Sequence, residues 1–248
     1  MDLRIQRSVV SNLRSRPQAV EVGPFVLGLD ESTDSPFINY ATPLPGVTVT
    51  AADVTDLVTA FGNRKPRLEY VVSSSPELEP LLLDAGFAVE VRNQYLVCTP
   101  STLTTPESPA GFDLFEPDTD ADLAGMIGAQ NVAFGGEDSA TPADLDRMRR
   151  NRARGAVAVA AVTTDRTRYA GGGTAVAPHD GVSEVAGIAV RPEFRRRGLA
   201  GAITAAVTRR LFGQGVDLAW LEASGDDSWR VYERIGYAPA GQRLYISR

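Results

Sequence analysis

Arg195-Arg196-Arg197 run directly into Gly198-Leu199-Ala200-Gly201, so three guanidinium groups meet a stretch in which three of four side chains are a hydrogen or a methyl. Upstream lies the apolar run Val185-Ala186-Gly187-Ile188-Ala189-Val190, and downstream Ala202 to Leu211 reads as a helix. The first backbone N–H groups of a helix have no intrahelical partners and carry partial positive charge. Where the residues there are small, a phosphate can approach those donors directly. Arginines beside them add charge and several donors for phosphate oxygens. The ligand expected is a pyrophosphate or a similar dianion. The Gly-Lys-Ser/Thr end of a nucleotide phosphate loop is absent, as is a Gly-x-Gly-x-x-Gly dinucleotide fingerprint. The bland alternative is a solvated loop in which Gly198 merely turns the chain. The order of strand, Arg191-Pro192-Glu193-Phe194, arginines, small residues and helix favours the anion site.

Few other side chains compete for chemistry. His179 is the single histidine and Cys98 the single cysteine, so a His/Cys metal cage, a triad built on two histidines and an intrachain disulfide are excluded. His179, within Ala177-Pro178-His179-Asp180-Gly181, reads as a surface turn. Cys98 reads as a small apolar filler. Gly171-Gly172-Gly173 falls within a strand pattern and signals a bulge or close backbone packing more than a phosphate loop. The 248 residues have a net charge of −6, which argues against a nucleic-acid partner. No run nears the roughly 18 apolar residues of a membrane span, and the opening MDLRIQRSVV lacks an apolar signal core. The expectation is a cytoplasmic protein with no membrane partner.

These residues need elements to hold them. The Pro-, Ser- and Thr-rich segment 100–111 reads as a linker between a first lobe, 1–99, and a second, 112–248. In the first lobe, strands are expected at Pro24–Leu29, Phe37–Tyr40, Arg67–Val72 and Phe87–Cys98, with helices at Ala51–Phe61 and Pro76–Asp84. In the second, Phe112–Phe115 reads as a strand and Asp118–Phe134 as a helix. Thr141-Pro142-Ala143-Asp144 signals the N-cap of another helix, ending near Arg152. Ala156–Val162 and Arg168–Ala177 form a hairpin, and Val182–Val190 is the strand before the arginine turn. Asp217–Glu222, a helix Asp226–Ile235 and a strand near Leu244–Ser247 complete the chain. The class is α/β (α+β), a mixed central sheet flanked by helices. A weak internal repeat sets Leu68-Glu69-Tyr70-Val71-Val72 against Leu218-Ala219-Trp220-Leu221-Glu222, and Gly86-Phe87 against Gly236-Tyr237. Leu82 then falls where Tyr232 stands, and the first lobe has no counterpart of the arginine–glycine turn.

Over roughly residues 112–248, the order of elements and two motifs resemble the GNAT N-acetyltransferases, which use acetyl-CoA. Their loop pattern Arg/Gln-x-x-Gly-x-Gly/Ala is filled by Arg195, Gly198 and Ala200. Ser228-Trp229-Arg230-Val231-Tyr232-Glu233-Arg234-Ile235-Gly236-Tyr237 is similar to the family helix that carries a tyrosine before Gly-Phe. The family often has Asn where Gly225 stands, and here Asp226 is available to cap the helix instead. The resemblance implies acetyl-CoA binding by Ile188, Ala189 and Val190 along the pantetheine arm, by Arg195, Arg196, Arg197, Gly198, Leu199, Ala200 and Gly201 at the pyrophosphate, and by Ser228. It also implies a degenerate copy of the fold in the first lobe.

Acyl transfer from a thioester to an amine needs a base for the ammonium, donors for the oxyanion and an acid for the thiolate. Under the resemblance Glu184 is the candidate base, weighed evenly against a solvent-facing carboxylate. Tyr232 is the candidate acid, since a phenol keeps its proton near neutral pH; without the resemblance it would read as a core residue. A strand N–H, at Ile188 or Ala189, is expected to hold the oxyanion. Glu184, Ala186, Ile188 and Val190 share a face unless a bulge intervenes. The acceptor expected is a primary amine of a small molecule or peptide, and a homodimer is left open. A non-catalytic acyl-CoA sensor and a general nucleotide binder are the competing readings.

Overall fold

The computed structural model describes residues 1–223 and 226–248, without the side chains of Asp226 and Asp227. The sequence expectations at Gly225 and for capping by Asp226 therefore lie outside the described residues. The chain divides into two compact units, residues 1–95 with 239–248, and residues 96–238.

The first unit contains α1 (Asp2–Arg14), β1 (Gln18–Val22), β2 (Phe25–Leu29), β3 (Tyr40–Pro43), α2 (Ala51–Ala60), β4 (Arg67–Val71), α3 (Leu78–Asp84) and most of β5 (Ala88–Cys98). Its last strand comes from the far end of the chain: residues 239–248 carry most of β11 (Ala238–Ser247), which lies antiparallel to β4 with Arg243 opposite Val71 and Ser247 opposite Arg67. The sequence expectation had kept these residues with the second lobe. Alternation explains why the strand belongs where it is. Leu244 and Ile246 point into the same apolar cluster as Leu68 and Tyr70, while Arg243 on the opposite face bonds Glu69 Oε2 at 3.2 Å. Arg67 also pairs with Glu69, and all three side chains are buried.

Helix α1, which the sequence reading did not anticipate, buries Ile5, Val9 and Leu13 at one-turn spacing. Gln6 lies between them and is also fully buried. Its amide donates to Thr42 Oγ1 and to Pro43 O, each at 2.8 Å, and its oxygen accepts from Val71 N at 2.9 Å. Every polar group of that side chain thus has a partner inside the fold.

The second unit contains β6 (Phe112–Phe115), α4 (Asp120–Ala133), α5 (Pro142–Arg152), β7 (Val157–Thr163), β8 (Tyr169–Ala175), β9 (Val182–Val190), α6 (Leu199–Gly213), β10 (Leu218–Glu222) and α7 (Asp226–Arg234). Strands β6 to β9 pair antiparallel in sequence order, and β10 adds parallel to β9. Helix α6 covers one face, where Val157, Val159, Val185, Ile203 and Val207 form the main core. Helix α4 covers the other, with Met126 and Leu123 on Ala158 and Ala160. Thr119 with Asp122 and Thr141 with Asp144 make capping boxes that start α4 and α5, each contributing about 1 kcal/mol.

Residues 99–111 are not a free tether. Thr104 N donates to Ile235 O at 3.0 Å, Leu103 packs on the main core, and Phe112 N bonds Pro109 O at 3.3 Å. Gly236 brings the chain closest: a Cβ there would lie 1.8 Å from Thr102 O, and its φ of +95° already requires glycine.

Candidate active site

Strand β9 is where the regular sheet breaks. Its partner β10 stays with it only from Val182 to Glu184, opposite Leu218 to Trp220. On the other edge, β8 pairs with Val185 and Ala186, skips two residues, and resumes at Ala189 and Val190. Gly187 and Ile188 together oppose the single residue Gly173, which makes a β-bulge. Gly187 has φ +64°, a conformation glycine adopts without a steric penalty.

The bulge changes which side chains share a face. Val185 belongs to the α6-side core, and beyond the bulge Ile188 packs against that core while Val190 belongs to it. Glu184 and Ala186 alternate with Val185, so they lie on the α4 side. The common face of Glu184, Ala186, Ile188 and Val190 therefore does not form. Glu184 is half-buried and sits beside Trp220 in register.

The backbone follows the same logic. Val176 N bonds Glu184 O, and Arg191 N bonds Ala170 O. Bonded pairs alternate in an antiparallel ladder, so Ala186 and Ala189 turn toward β8 as well. That occupies Ala189 with Gly172 and leaves the N–H of Ile188 outside the ladder. Of the two N–H groups named in the sequence analysis, that of Ile188 is the one outside the β8 ladder. The three glycines opposite are explained by packing: a Cβ would meet Ala189 O at 2.2 Å from Gly171, Met126 Cγ at 2.4 Å from Gly172, and Ile188 Cδ1 at 2.3 Å from Gly173.

After β9 the chain turns through Arg195 to Gly198 and enters α6. The helix has no side-chain cap: Gly198, at φ +79°, is its N-cap, and Leu199, Ala200 and Gly201 form its first turn. Leu199 is buried in the core and anchors the turn, while Gly198 is exposed. The three arginines have different placements. Arg195 donates to Val190 O and to Ala133 O, both at 3.1 Å, and so ties the turn to the ends of β9 and α4. Arg196 is exposed with φ +60°, a strained backbone for a residue with a Cβ. Arg197 lies over the Phe112 ring, 5.4 Å from its centroid.

Tyr232 on α7 is 9% exposed and joins the core that contains Val190 and Leu199, with Ile188, Ala200 and Trp229 packed against it. Its ring lies 6.3 Å from that of Tyr237, whose hydroxyl shares a 2.6 Å bond with Thr208 Oγ1. Burial raises the pKa of the Tyr232 phenol, so it keeps its proton at neutral pH. Ser228 lies half-buried in the first turn of α7. The α6-side residues Ile188, Val190, Leu199, Ala200 and Tyr232 are thus gathered, with Glu184 across the sheet plane.

Elsewhere, Cys98 is buried in the core and its thiol pKa is raised by burial, as suits a filler. His179 pairs with Val182 across a tight turn through Asp180 and Gly181, both at positive φ. A cavity of about 410 Å³ lies between α4 and the 138–140 segment, lined by Gly125, Asp138, Tyr169 and Arg191 among others. None of the residues above that could act on a thioester lines it. Among the described residues no cluster could hold a metal ion, and no helix is long and apolar enough to cross a membrane.

The mixed sheet flanked by helices can be compared with known proteins as a whole. The FR47-like protein family model matches residues 173–246. No curated protein sequence matches. A GCN5-related N-acetyltransferase from Kribbella flavida is 26% identical, with 100% of this chain and 95% of that chain covered at a TM-score of 0.81. A second, from Sphaerobacter thermophilus, shares the fold at 15% identity and TM-score 0.65, over 99% of this chain and 91% of that chain. A tandem GNAT protein from the clavulanic acid biosynthesis pathway is 14% identical over 90% of this chain and 78% of its own, with a TM-score of 0.63. The chain has the fold of the GNAT acetyltransferases it is similar to.

Proposed function

We propose that this chain is an N-acetyltransferase that moves an acetyl group from acetyl-CoA to a primary amine of a small molecule or peptide. The observation that carries the reading is the bulge at Gly187, placed where β10 has left β9, on the strand whose end turns into an uncapped helix flanked by arginines. The donor set fits coenzyme A. The N–H groups of Leu199, Ala200 and Gly201 would hold its diphosphate, with charge from Arg196 and Arg197. Arg195 acts through the turn it braces. Ile188, Ala189 and Val190 would lie along the pantetheine arm, and Ser228 at the start of α7 would add a hydroxyl. When bound, acetyl-CoA supplies a thioester activated toward nucleophiles.

The chain's own groups divide the remaining work. The Ile188 N–H stabilises negative charge as it develops on the carbonyl oxygen, an interaction worth most where water is excluded. Tyr232, a phenol that keeps its proton near neutral pH, gives that proton to the departing sulfur. Glu184, or a water it orders, takes a proton from the acceptor ammonium so that a lone pair is available. The two groups lie on opposite sides of β9, consistent with donor and acceptor arriving from opposite sides.

The strand–helix–strand order β4–α3–β5 recurs later in the chain as β10–α7–β11. Fully buried Leu82 stands where Tyr232 stands. This supports a degenerate copy without the chemistry. The test is thiol release from acetyl-CoA across a library of primary amines, alongside titration calorimetry with CoA. Acceptor-dependent thiol release that falls in Glu184→Gln and Tyr232→Phe is expected. Tight binding with no release on any amine would replace the enzyme with an acyl-CoA sensor, and no binding would remove both.

A further inference from the structure

The bulge that the proposed chemistry uses is made of glycine, and glycine does not hold its own peptide planes. Gly187 visits positive and negative φ with similar ease, so the plane joining it to Ile188 needs something to fix it. Two side chains do so. Gln130, projecting from α4, donates Nε2 to Gly187 O at 2.7 Å. Thr174, on β8, donates Oγ1 to Ala186 O at 3.1 Å. Both contacts reach carbonyls of the bulge, one from below the sheet and one from the neighbouring strand. The fit around Gly187 is close: a Cβ there would stand 3.1 Å from Gln130 Nε2 and 3.5 Å from Thr174 Oγ1.

A trans peptide is planar, so its C=O and the following N–H point in opposite directions. Holding Gly187 O toward α4 therefore turns the Ile188 N–H away from α4. Holding Ala186 O toward Thr174 turns the Gly187 N–H away from β8, to the edge that β10 has vacated. We propose that Gln130 and Thr174 are positioning residues that lock the orientation of the bulge amides, and through them the donor for the thioester oxygen. This rests on the acetyl-transfer reading above. Neither residue touches the reacting atoms.

The locking bond has a polarity that can be reversed. In Gln130→Glu the side chain keeps its size, but at neutral pH the new carboxylate cannot donate to Gly187 O and instead attracts an N–H. The peptide plane should then rotate, taking the Ile188 N–H with it. At a pH low enough to protonate the new carboxyl, its O–H can donate to Gly187 O and restore the plane.

The experiment is isotope-edited infrared spectroscopy of carbonyl-¹³C acetyl-CoA bound to the full chain, paired with calorimetry using CoA, which has no acyl carbonyl. In the wild type the bound carbonyl stretch should move to lower frequency relative to free acetyl-CoA. In Gln130→Glu that displacement should be lost near pH 7 and regained near pH 4.5, with CoA affinity changed less than about threefold. Removal of one oxyanion donor corresponds to about 10²–10³ in turnover, so an active acceptor should show a fall of that order in kcat with little change in KM for acetyl-CoA. Should Gln130→Glu not fold, Gln130→Met and Thr174→Val interrogate the same bonds without a buried charge. An unaltered carbonyl displacement in the variants overturns the proposal, as does an equal loss of CoA and acetyl-CoA affinity, which would mean general damage. A wild type that binds no acetyl-CoA overturns the acetyl-transfer reading itself, and this inference with it.

Discussion

Tyr232→Phe separates catalysis from stability because the hydroxyl it removes has little structural work. The ring is 9% exposed and packs with Tyr237, Ile235 and Leu199, contacts that phenylalanine retains. Burial alone raises the phenol's pKa, with no hydrogen bond from a described residue contributing. The hydroxyl is not among the buried polar atoms left without a partner, so removing it changes stability little. Stability should therefore hold within about 1 kcal/mol, with a melting temperature within about 2–4 °C of the wild type. Turnover should fall. Loss of a positioned proton donor lowers the rate by about 10²–10⁴, or about 3–5 kcal/mol of barrier, while CoA affinity stays within about twofold. The assays are differential scanning fluorimetry, calorimetry with CoA, and thiol release with the best amine found in the library. Full turnover in Tyr232→Phe would refute the proton-donor role. A drop of several degrees in melting temperature would refute the packing account, since it would show the hydroxyl supporting the core.

Gly236→Ala places a methyl 1.8 Å from a backbone oxygen of residue 102 at φ +95°, whereas Gly215→Ala at φ +90° meets nothing within 4 Å. Urea unfolding should show at least about 2 kcal/mol lost at 236 and about 1–2 kcal/mol at 215; equal losses would mean the strap carries no packing. Glu90 is partly desolvated, which raises its pKa, but hydrogen bonds from Ser247, Arg67 and Lys65 outweigh this and bring it down to about 2. A depressed carboxylate stabilises above its unfolded pKa and loses that contribution as pH falls through the folded one. The melting-temperature gap between wild type and Glu90→Gln should therefore be full above about pH 5 and close as pH falls toward 2. A gap that does not vary with pH would contradict the pairing.

The second unit was largely legible in the sequence because its signals are local. Arg195 to Gly201 announce a helix entry, Thr141 and Asp144 a cap, and the apolar run before the arginines a strand. Other features depend on distant partners. The spacing of Ile5, Val9 and Leu13 could have disclosed α1, but charged neighbours and Gln6 obscured it, and Gln6 is buried only because Thr42, Pro43 and Val71 meet it. The strand expected at Phe37–Tyr40 lies at Tyr40–Pro43 because its partner β2 fixes the register. Proline, serine and threonine in 100–111 do mark the absence of regular structure, yet composition says nothing of the carbonyl at Ile235 that holds Thr104. Nor could a local pattern tell that β11 pairs with β4 or that Glu184 and Ile188 part company at one glycine.

The place of β11 in the first unit has a consequence for synthesis. On a ribosome adding about 5–20 residues per second, the roughly 140 intervening residues take on the order of 7–30 s. Throughout that interval β4 waits with one edge unpaired. The ionised Arg67 and Glu69 on the waiting strand disfavour pairing with other nascent chains, and they gain Arg243 only when residues 239–248 emerge. The half that leaves the exit tunnel first is completed last.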